Sequence, residues 1–271
     1  MDKNNNLEAI NLLEEDKYTF SVLRSILTKK CEFILTDNEQ YIICYSYKPF
    51  PIWVWTRDDI TKEHAEKVYT ILKEKSLLSE QYRFNLKPDF SKFLIDRAKI
   101  DGIEISVSLD LLAYECLFPI KPTKIAKGKL YKCTEEDVFE LAELISSFHN
   151  EVGIDQKNKV EHVTDAQLLI NEGNVYFWKD DAGNNVACCR YTPRDGELAC
   201  IGLVFTQPEH RRKHYAENLV YAVTNIARKE GFIPILYTNA DYPASNECYK
   251  KIGYEVKGKL CMVKCQVPHE Q

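Results

Sequence analysis

A cluster of basic residues lies between an apolar, strand-like segment and a helical one in the second half of the chain. The apolar segment runs over 201–206, and Arg211, Arg212 and Lys213 follow it just before a helix that begins near His214. The N-terminus of a helix offers unpaired N–H groups and the positive end of the helix dipole. Basic side chains beside such an end favour phosphate groups. The segment therefore indicates a phosphate-binding loop, and a solvated basic helix start is the alternative interpretation.

Two motifs in a fixed order carry a resemblance to a known family. They are Val204–Glu209 with Arg211–Ala216 upstream, and Ser245-Asn246, Tyr249 and Lys251-Ile252-Gly253-Tyr254 downstream. Their residue types, order and spacing closely resemble the signature of the GNAT superfamily of acyl-CoA-dependent N-acetyltransferases. The strand order is similar over roughly residues 128–265, and the match is strongest from Gly202 to Tyr254. Some bacterial members have two domains, which suggests that the first half is a degenerate copy of the same fold.

The resemblance implies how acetyl-CoA, the cosubstrate, is held. The strand that ends at Thr206 and the strand that starts near Ile235 are expected to part, so that pantetheine lies between them. Its amides would bond to main-chain groups of Val204, Phe205 and Thr206, as an added strand would. The diphosphate is expected beside Arg211, on the N–H groups of Arg212, Lys213, His214, Tyr215 and Ala216. No metal is expected.

One position departs from the family's loop pattern, which reads Gln or Arg, two residues, Gly, one residue, and Gly or Ala. Arg211 and Ala216 match this pattern, whereas His214 stands where the first glycine belongs. A glycine there lets the backbone approach the phosphate closely. We therefore expect His214 either to aim its ring away or to use it as an added donor.

The resemblance also implies roles in acyl transfer for a few residues. Tyr249 matches the family's tyrosine and is the candidate general acid for the leaving thiolate, because a phenol stays protonated at neutral pH. A main-chain N–H near Val204 or Phe205 would stabilise the negative charge on the thioester oxygen. Asn246 and Asn239 either bind the cofactor arm or stabilise turns, which asparagine does well.

The general base is not evident from the sequence. An amine acceptor must lose a proton before it attacks, and some family members use a glutamate on the strand before the phosphate loop for this step. Here the interior of that strand, 200–204, holds no carboxylate. Glu197 at the start of the strand and Glu151 between two early helices are the candidates, and an exposed structural glutamate is the alternative for both.

Other reactive side chains favour structural roles. Cys200 or Cys248 would need an adjacent base to form an acyl-enzyme, and buried thiols are far more common. Cys261, Cys265 and His269 are evenly spaced, but three ligands on an extended tail make a metal site unfavourable. The aromatic residues of 41–55 either pack in the core at strand spacing or line an acceptor pocket; they are Tyr41, Tyr45, Phe50, Trp53 and Trp55.

Period-two and helical hydrophobic patterns predict the elements that position these residues. Strands are predicted at 41–47, 51–55, 103–109, 130–133, 174–179, 186–191, 198–206 and 235–238, with 254–267 mostly extended; helices are predicted from Asp58 or Asp59 to about 72, at 138–148 after a Thr134/Asp137 capping box, and at 164–171, 214–228 and 244–251. The fold class is thus mixed α/β with a mixed sheet. The strands at 174–179, 186–191 and 198–206 are expected to be antiparallel, and the last of them leads into the basic loop.

A segment with two prolines, a glycine and several lysines, 118–129, is predicted to be an interdomain linker. It divides the chain into an N-terminal mixed α/β domain, 1–127, and a GNAT acetyltransferase domain, 128–271. No motif in the first half indicates a function.

Composition excludes several classes of protein. The chain has 271 residues, of which 45% are hydrophobic and 28% charged, with only ten glycines and ten prolines, so collagen-like and low-complexity chains are excluded. Residues 1–127 carry 19 basic and 20 acidic side chains and the rest carry 17 and 21. Neither half is basic, which disfavours nucleic acid or an anionic membrane as a partner.

The expected location is the cytoplasm. No apolar run is long enough for a membrane span, and the first residues lack the features of a secretion signal. The ten cysteines include no CxxC pair, so they are expected to be reduced.

The predicted function is transfer of an acetyl group from acetyl-CoA to a primary amine, of a small molecule or a peptide, by direct attack in a ternary complex. A non-catalytic acyl-CoA-binding regulatory module is the first alternative, because of His214 and the missing carboxylate. A protein-interaction scaffold that keeps the fold without the ligand is the second. Net charge does not select an acceptor, and the oligomeric state is not encoded in any motif.

Overall fold

The structure, a computed structural model, describes residues 3–153, 157–194 and 196–266. Its contacts divide the chain into two compact units. The first unit comprises the residues up to Tyr114, Tyr237–Tyr242 and the residues from Val256 onward, and the second comprises Glu115–Leu236 and Pro243–Glu255. These units are defined by packing alone, and the domain limits 1–127 and 128–271 stay a prediction.

Eight helices and eleven strands are found among the described residues. In chain order they are α1 (Lys3–Leu12), α2 (Ser21–Leu27), β1 (Phe33–Thr36), β2 (Tyr41–Tyr45), β3 (Ile52–Thr56), α3 (Lys62–Glu74), β4 (Arg83–Leu86), α4 (Pro88–Ile100), β5 (Ile105–Glu115), β6 (Lys129–Lys132), α5 (Val138–Val152), α6 (Lys159–Glu172), β7 (Val175–Lys179), β8 (Asn185–Pro193), β9 (Leu198–Thr206), α7 (Tyr215–Lys229), β10 (Ile233–Asn239), α8 (Pro243–Ile252) and β11 (Glu255–Cys265). The mixed α/β class predicted from the sequence is confirmed.

The sheet of the first unit has the strand order β1-β2-β3-β4-β11-β5. Strands β1, β2 and β3 are antiparallel, and β3 runs parallel to β4 over three pairs, from Ile52 opposite Phe84 to Val54 opposite Leu86. Strand β11 joins β4 antiparallel, with Cys261 opposite Leu86. The first unit therefore takes one of its inner strands from the far end of the chain.

Both faces of this sheet are covered. Ile43 and Tyr45 of β2 pack with α3 and α4, while Ile42 and Cys44 pack with α1 and α2. Central strands that are buried on both faces are largely apolar, and every residue of β2 and β3 is buried here. Of the aromatic residues that could have lined an acceptor pocket, Tyr41, Tyr45, Trp53 and Trp55 are buried in this core and Phe50 is exposed.

The sheet of the second unit has the order β10-β9-β8-β7-β6. Strands β6 to β9 are antiparallel, as the sequence predicts for the last three of them, and β9 pairs in parallel with β10. Helices α5 and α6 cover one face around Phe177 and Phe205. Helix α7 packs against β8 and β9 with a buried apolar stripe that includes Leu219 and Val223.

The two halves of the chain share one order of elements. Two helices, three antiparallel strands, a helix, a parallel strand, a helix and a last strand occur as α1 to β5 and again as α5 to β11, with β6 in addition. This recurrence agrees with the prediction that the first half is a GNAT-like copy.

Several predicted boundaries are corrected by the structure. Helix α3 is capped by Thr61, whose side chain accepts the His64 N–H, instead of by Asp58 or Asp59. Helix α6 begins at Lys159, earlier than the predicted 164, because Asn158 and Glu161 form a capping box. The predicted Thr134/Asp137 box is confirmed. Helices α1, α2 and α4 and strands β1 and β4 were not predicted.

The segment predicted as a linker is irregular and is bonded to the second unit. Ile120 N–H donates to the Ile252 carbonyl (2.7 Å), and Lys124 and Lys127 carbonyls accept from Asn218 Nδ2 and Trp178 Nε1. Gly253 lies so close to it that an added Cβ would come within 2.7 Å of the Phe118 carbonyl oxygen. Among the described helices, none is long and apolar enough to cross a membrane.

Candidate functional site

The edge of β9 that faces β10 is paired only at its start. The parallel register covers three pairs, from Leu198 opposite Ile233 to Cys200 opposite Ile235. Beyond Cys200, no described residue of the second unit pairs with this edge of β9. Its main-chain groups over 201–206 are therefore open to a ligand that bonds as a strand does.

A β-bulge interrupts the other side of the same strand. Cys188 lies opposite Phe205 and Arg190 opposite Gly202, so Leu203 and Val204 together oppose the single residue between them. Leu203 has a left-handed backbone, with φ of 51°. A bulge releases main-chain groups from the ladder and bends the strand. No local sequence signal predicts a leucine in this conformation.

The loop after β9 ends in a helix whose first N–H groups are not used. The backbone N–H groups from Arg212 to Ala216 donate to no described residue. His214 stands at the N-cap of α7 and its side chain makes no capping bond. Arg212 and Lys213 are exposed and form no ion pair with a described residue. The loop thus combines five free donors with uncompensated positive charge, as an anion site requires.

His214 resolves the departure from the family's loop pattern in an unexpected way. It adopts φ of 64°, the left-handed conformation for which glycine is the usual residue, and Arg212 does so too with φ of 60°. The His214 ring lies 3.4 Å (Nδ1 to Oε2) from Glu217 on the next turn. The backbone therefore follows the glycine-type path while the ring is held along α7.

Arg211 fixes the loop to the end of β9. Its Nε donates to the Thr206 carbonyl (3.1 Å), its guanidinium lies 5.8 Å from the centre of the Phe205 ring, and its Nη2 bonds to Glu151 on the last turn of α5. Glu151, one of the two candidate bases, is thus the ion-pair partner of the loop arginine. Arg211 therefore links the loop to the end of β9 and to the last turn of α5.

Thr206 carries an orphaned polar atom at the end of β9. Its Oγ1 is buried and bonds to no described residue. A buried hydroxyl without a partner is unfavourable by about 1–3 kcal/mol. Thr206 is therefore an available donor or acceptor beside the open main-chain edge.

The short helix α8 holds the downstream motif. Asn246 and Tyr249 are buried on it, and the Tyr249 ring packs edge-on against Tyr254, with ring centres 5.9 Å apart. Tyr254 is hydrogen-bonded to Thr224 of α7 (2.7 Å), and burial raises the pKa of its phenol. The motif thus joins α8 to α7 and holds the Tyr249 ring in one place.

A family comparison gives these features one explanation. Residues 138–254 match the model of the acetyltransferase (GNAT) family. These residues form a GNAT acetyltransferase domain. The match includes β9, the basic loop, α7 and the α8 motif, which supports an acyltransferase, and the matched family uses acetyl-CoA as cosubstrate. No curated protein matches the chain in sequence.

Solved structures extend the likeness in fold to the first half. A Drosophila protein is 14% identical over 100% of this chain and 98% of its own, with a TM-score of 0.67. A GCN5-related N-acetyltransferase from Kribbella flavida is 14% identical over 94% and 96%, with a TM-score of 0.63. A GNAT acetyltransferase from Colwellia psychrerythraea is 12% identical over 98% of both chains, with a TM-score of 0.59. At such identities the likeness concerns the fold alone.

The second unit brings most of the predicted cosubstrate residues together. Val204, Phe205 and Thr206 lie at the open edge of β9, and the loop from Arg211 to Ala216 follows at once. The open edge, the orphaned Thr206 hydroxyl and the free N–H groups fit pantetheine amides and a diphosphate in chemical type. The Tyr215 ring is buried beside His210, so this residue offers only its backbone to a ligand at the loop.

Two predicted residues lie elsewhere. Glu197 is exposed and precedes β9, at the end opposite the loop, about 23 Å along the strand from Val204 at about 3.3 Å per residue. Asn239 belongs to the first unit, and its side chain accepts the Asp241 N–H (2.8 Å), which is the turn-stabilising role. The position of Glu197 argues against a direct role with the cosubstrate.

The thiols have structural surroundings. All ten cysteines are free and eight are buried, and burial raises the pKa of Cys248 to about 12. Cys261 and Cys265 are buried as well, with pKa values raised to about 12 and about 11, and His269 lies outside the described residues. Such thiols are protonated at neutral pH and are poor nucleophiles. The described residues contain no cluster of three potential metal ligands.

Proposed function

We propose that the protein transfers an acetyl group from acetyl-CoA to a primary amine by direct attack in a ternary complex. The observation that carries the proposal is the continuity of the open β9 edge with five free N–H groups at the start of α7. The edge suits pantetheine and the helix end suits a diphosphate, so the thioester would lie along β9 near the bulge at Leu203.

The residues of the bulge and of α8 have defined roles in this proposal. Main-chain N–H groups near Val204 and Phe205 stabilise the negative charge that develops on the thioester oxygen. The amine nitrogen bonds to the carbonyl carbon as the carbon–sulfur bond breaks. Tyr249 gives its phenolic proton to the departing sulfur and regains one from the nitrogen of the new amide. Asn246, buried one turn before Tyr249, would orient the cofactor arm.

The test is a comparison of Tyr249→Phe with the wild type. We expect turnover on an amine panel, measured as thiol release, to fall about 100-fold or more because the leaving sulfur loses its proton donor. The dissociation constant of acetyl-CoA, measured by calorimetry, should stay the same. Cys248→Ser, one residue away, is the matched control and should keep its activity, since its thiol is not used. Full activity of Tyr249→Phe would contradict the assignment.

A non-catalytic acyl-CoA-binding module is the second candidate. It is favoured by His214 at the glycine position and by the absence of a carboxylate from 200–204. Tight binding of acetyl-CoA without turnover on any amine would support this candidate. No heat and no thermal shift with acetyl-CoA would leave only a scaffold role.

A further inference from the structure

We infer that His149 is the general base that removes a proton from the acceptor's ammonium group, and that His162 is its positioning residue. The inference rests on the proposed amine acetylation and supplies the base that neither glutamate provides. Glu151 is bound by Arg211, and Glu197 lies at the far end of β9.

The two imidazoles face each other between α5 and α6. Their ring centres are 5.4 Å apart, with an angle of 48° between the ring planes. His162 is only 5% exposed. Nδ1 of His149 and Nε2 of His162 are both buried and bond to no described residue. Two buried ring nitrogens without partners are unfavourable for a purely structural pair, because each forfeits a hydrogen bond that water would supply.

The pair is adjacent to the end of β9 at which the loop begins. Phe148, the neighbour of His149, packs edge-on against Phe205 with ring centres 6.5 Å apart. Glu151, two residues after His149, bonds to the loop through Arg211. The last turn of α5 therefore carries His149 along the same strand end that holds the orphaned Thr206 hydroxyl.

The surroundings keep His149 neutral at physiological pH. Burial lowers its pKa, and the neighbouring His162 lowers it further. Asp165 of α6 acts in the opposite direction, but it is bonded to Lys157 (2.6 Å). Glu151, the carboxylate nearest to His149 in the sequence of the same helix, is paired with Arg211. A neutral imidazole can accept a proton, which is the first requirement for a general base.

Proton transfer to His149 accompanies the attack of the amine. One N–H bond of the ammonium breaks, and its proton passes to a ring nitrogen of His149, directly or through one water. The freed lone pair of the amine forms the bond to the thioester carbon. The imidazolium returns the proton to solvent, so the reaction releases one proton for each amide formed.

The experiment measures kcat/KM against pH for the wild type, His149→Gln and His162→Gln, with acetyl-CoA and an amine that the wild type uses. We expect His149→Gln to lose about 100- to 10,000-fold at neutral pH and to recover activity as the amine deprotonates at higher pH. His162→Gln should shift the acidic limb to higher pH, because the neighbour that lowers the pKa of His149 is gone. His64→Gln in the first unit is the matched control and should follow the wild type.

A second readout does not depend on turnover. The ring proton signals of His149, followed by NMR in protein without substrate, should titrate below pH 6.5 and shift upward in His162→Gln. An unaltered pH profile in His149→Gln with a folded protein, or ordinary titration of His149, would overturn the inference. Failure of the proposed function looks different, because the wild type itself would then bind acetyl-CoA without turnover.

Discussion

The two units contain the same kind of strand-to-helix connection, β3 to α3 and β9 to α7, but the side chains around it differ. In the first unit β3 ends at Thr56, and five residues (57–61) lead into α3; in the second, β9 ends at Thr206, and eight residues (207–214) lead into α7. Both strands pair in parallel with the next strand over three residues only. Within the described residues, a strand whose last residues are unpaired on one edge, just before a helix begins, is therefore present in both units.

The side chains at the two helix starts differ. At the start of α3 the Thr61 side chain accepts a hydrogen bond from a backbone N–H group. Arg57 is paired with Asp59, and Lys87 is paired with Asp16 and Asp58 at 2.6 Å each. A cavity of about 330 Å³ opens at this place, but aspartates share its lining with the basic residues. In the second unit the N–H groups from Arg212 to Ala216 and the side chains of Arg212 and Lys213 have no partner among the described residues. The same local fold thus occurs once with a candidate phosphate site and once with a capped helix start and with Arg57 and Lys87 already paired.

The largest expected effect comes from reversing the charge of the loop. Arg212→Glu combined with Lys213→Glu should weaken acetyl-CoA binding about 100-fold or more, because each charge-assisted contact contributes about 1.5–3 kcal/mol. Lys62→Glu, at the start of α3, should leave binding unchanged. Calorimetry should give one site per chain. Two sites, or equal weakening by both changes, would show that the first unit also binds the cosubstrate.

A smaller effect separates the two strand-end threonines. Thr206→Val should raise the dissociation constant of acetyl-CoA about fivefold, through loss of one neutral hydrogen bond. Its free energy of unfolding should not fall, since Oγ1 bonds to no described residue. Thr56→Val is the control for ligand binding. An unchanged dissociation constant in Thr206→Val would remove this hydroxyl from the site.

The smallest effect concerns backbone strain at the loop. His214→Gly should be more stable than His214→Ala by about 1 kcal/mol, because only glycine adopts the left-handed conformation without strain. Asp59 in the first unit has no positive φ, so there we expect the opposite order, with Asp59→Ala more stable than Asp59→Gly. At such a position glycine only adds conformational freedom to the unfolded chain. Urea unfolding measures both differences. Equal stability of the two His214 variants would argue against the left-handed N-cap.

The sequence predicted the elements that have strong local signals. Strand β9 was placed at 198–206, as observed, and α7 within one residue, because β9 is a long apolar run and the helical pattern of α7 is uninterrupted. Strands of only four residues have a weak local signal: β6 was predicted, whereas β1 and β4 were not.

What the sequence did not predict depends on contacts between distant residues. The bulge at Leu203 is defined by its register with β8, and the bond between Glu151 and Arg211 requires the end of α5 to meet the loop. The facing of His149 and His162 depends on how two helices pack. Such pairings leave no mark in local composition, whereas the basic loop and the Tyr249 motif do.

The place of β11 between β4 and β5 has a consequence for synthesis. Every other element of that sheet, β1 to β5, leaves the ribosome early, yet the sheet lacks an inner strand until residues 255–265 emerge. During translation the first unit must therefore wait, with Phe84 and Leu86 of β4 unpaired on one side, until the acetyltransferase domain has been made. Nascent chains stalled before β11 should be the form most exposed to chaperones and proteases.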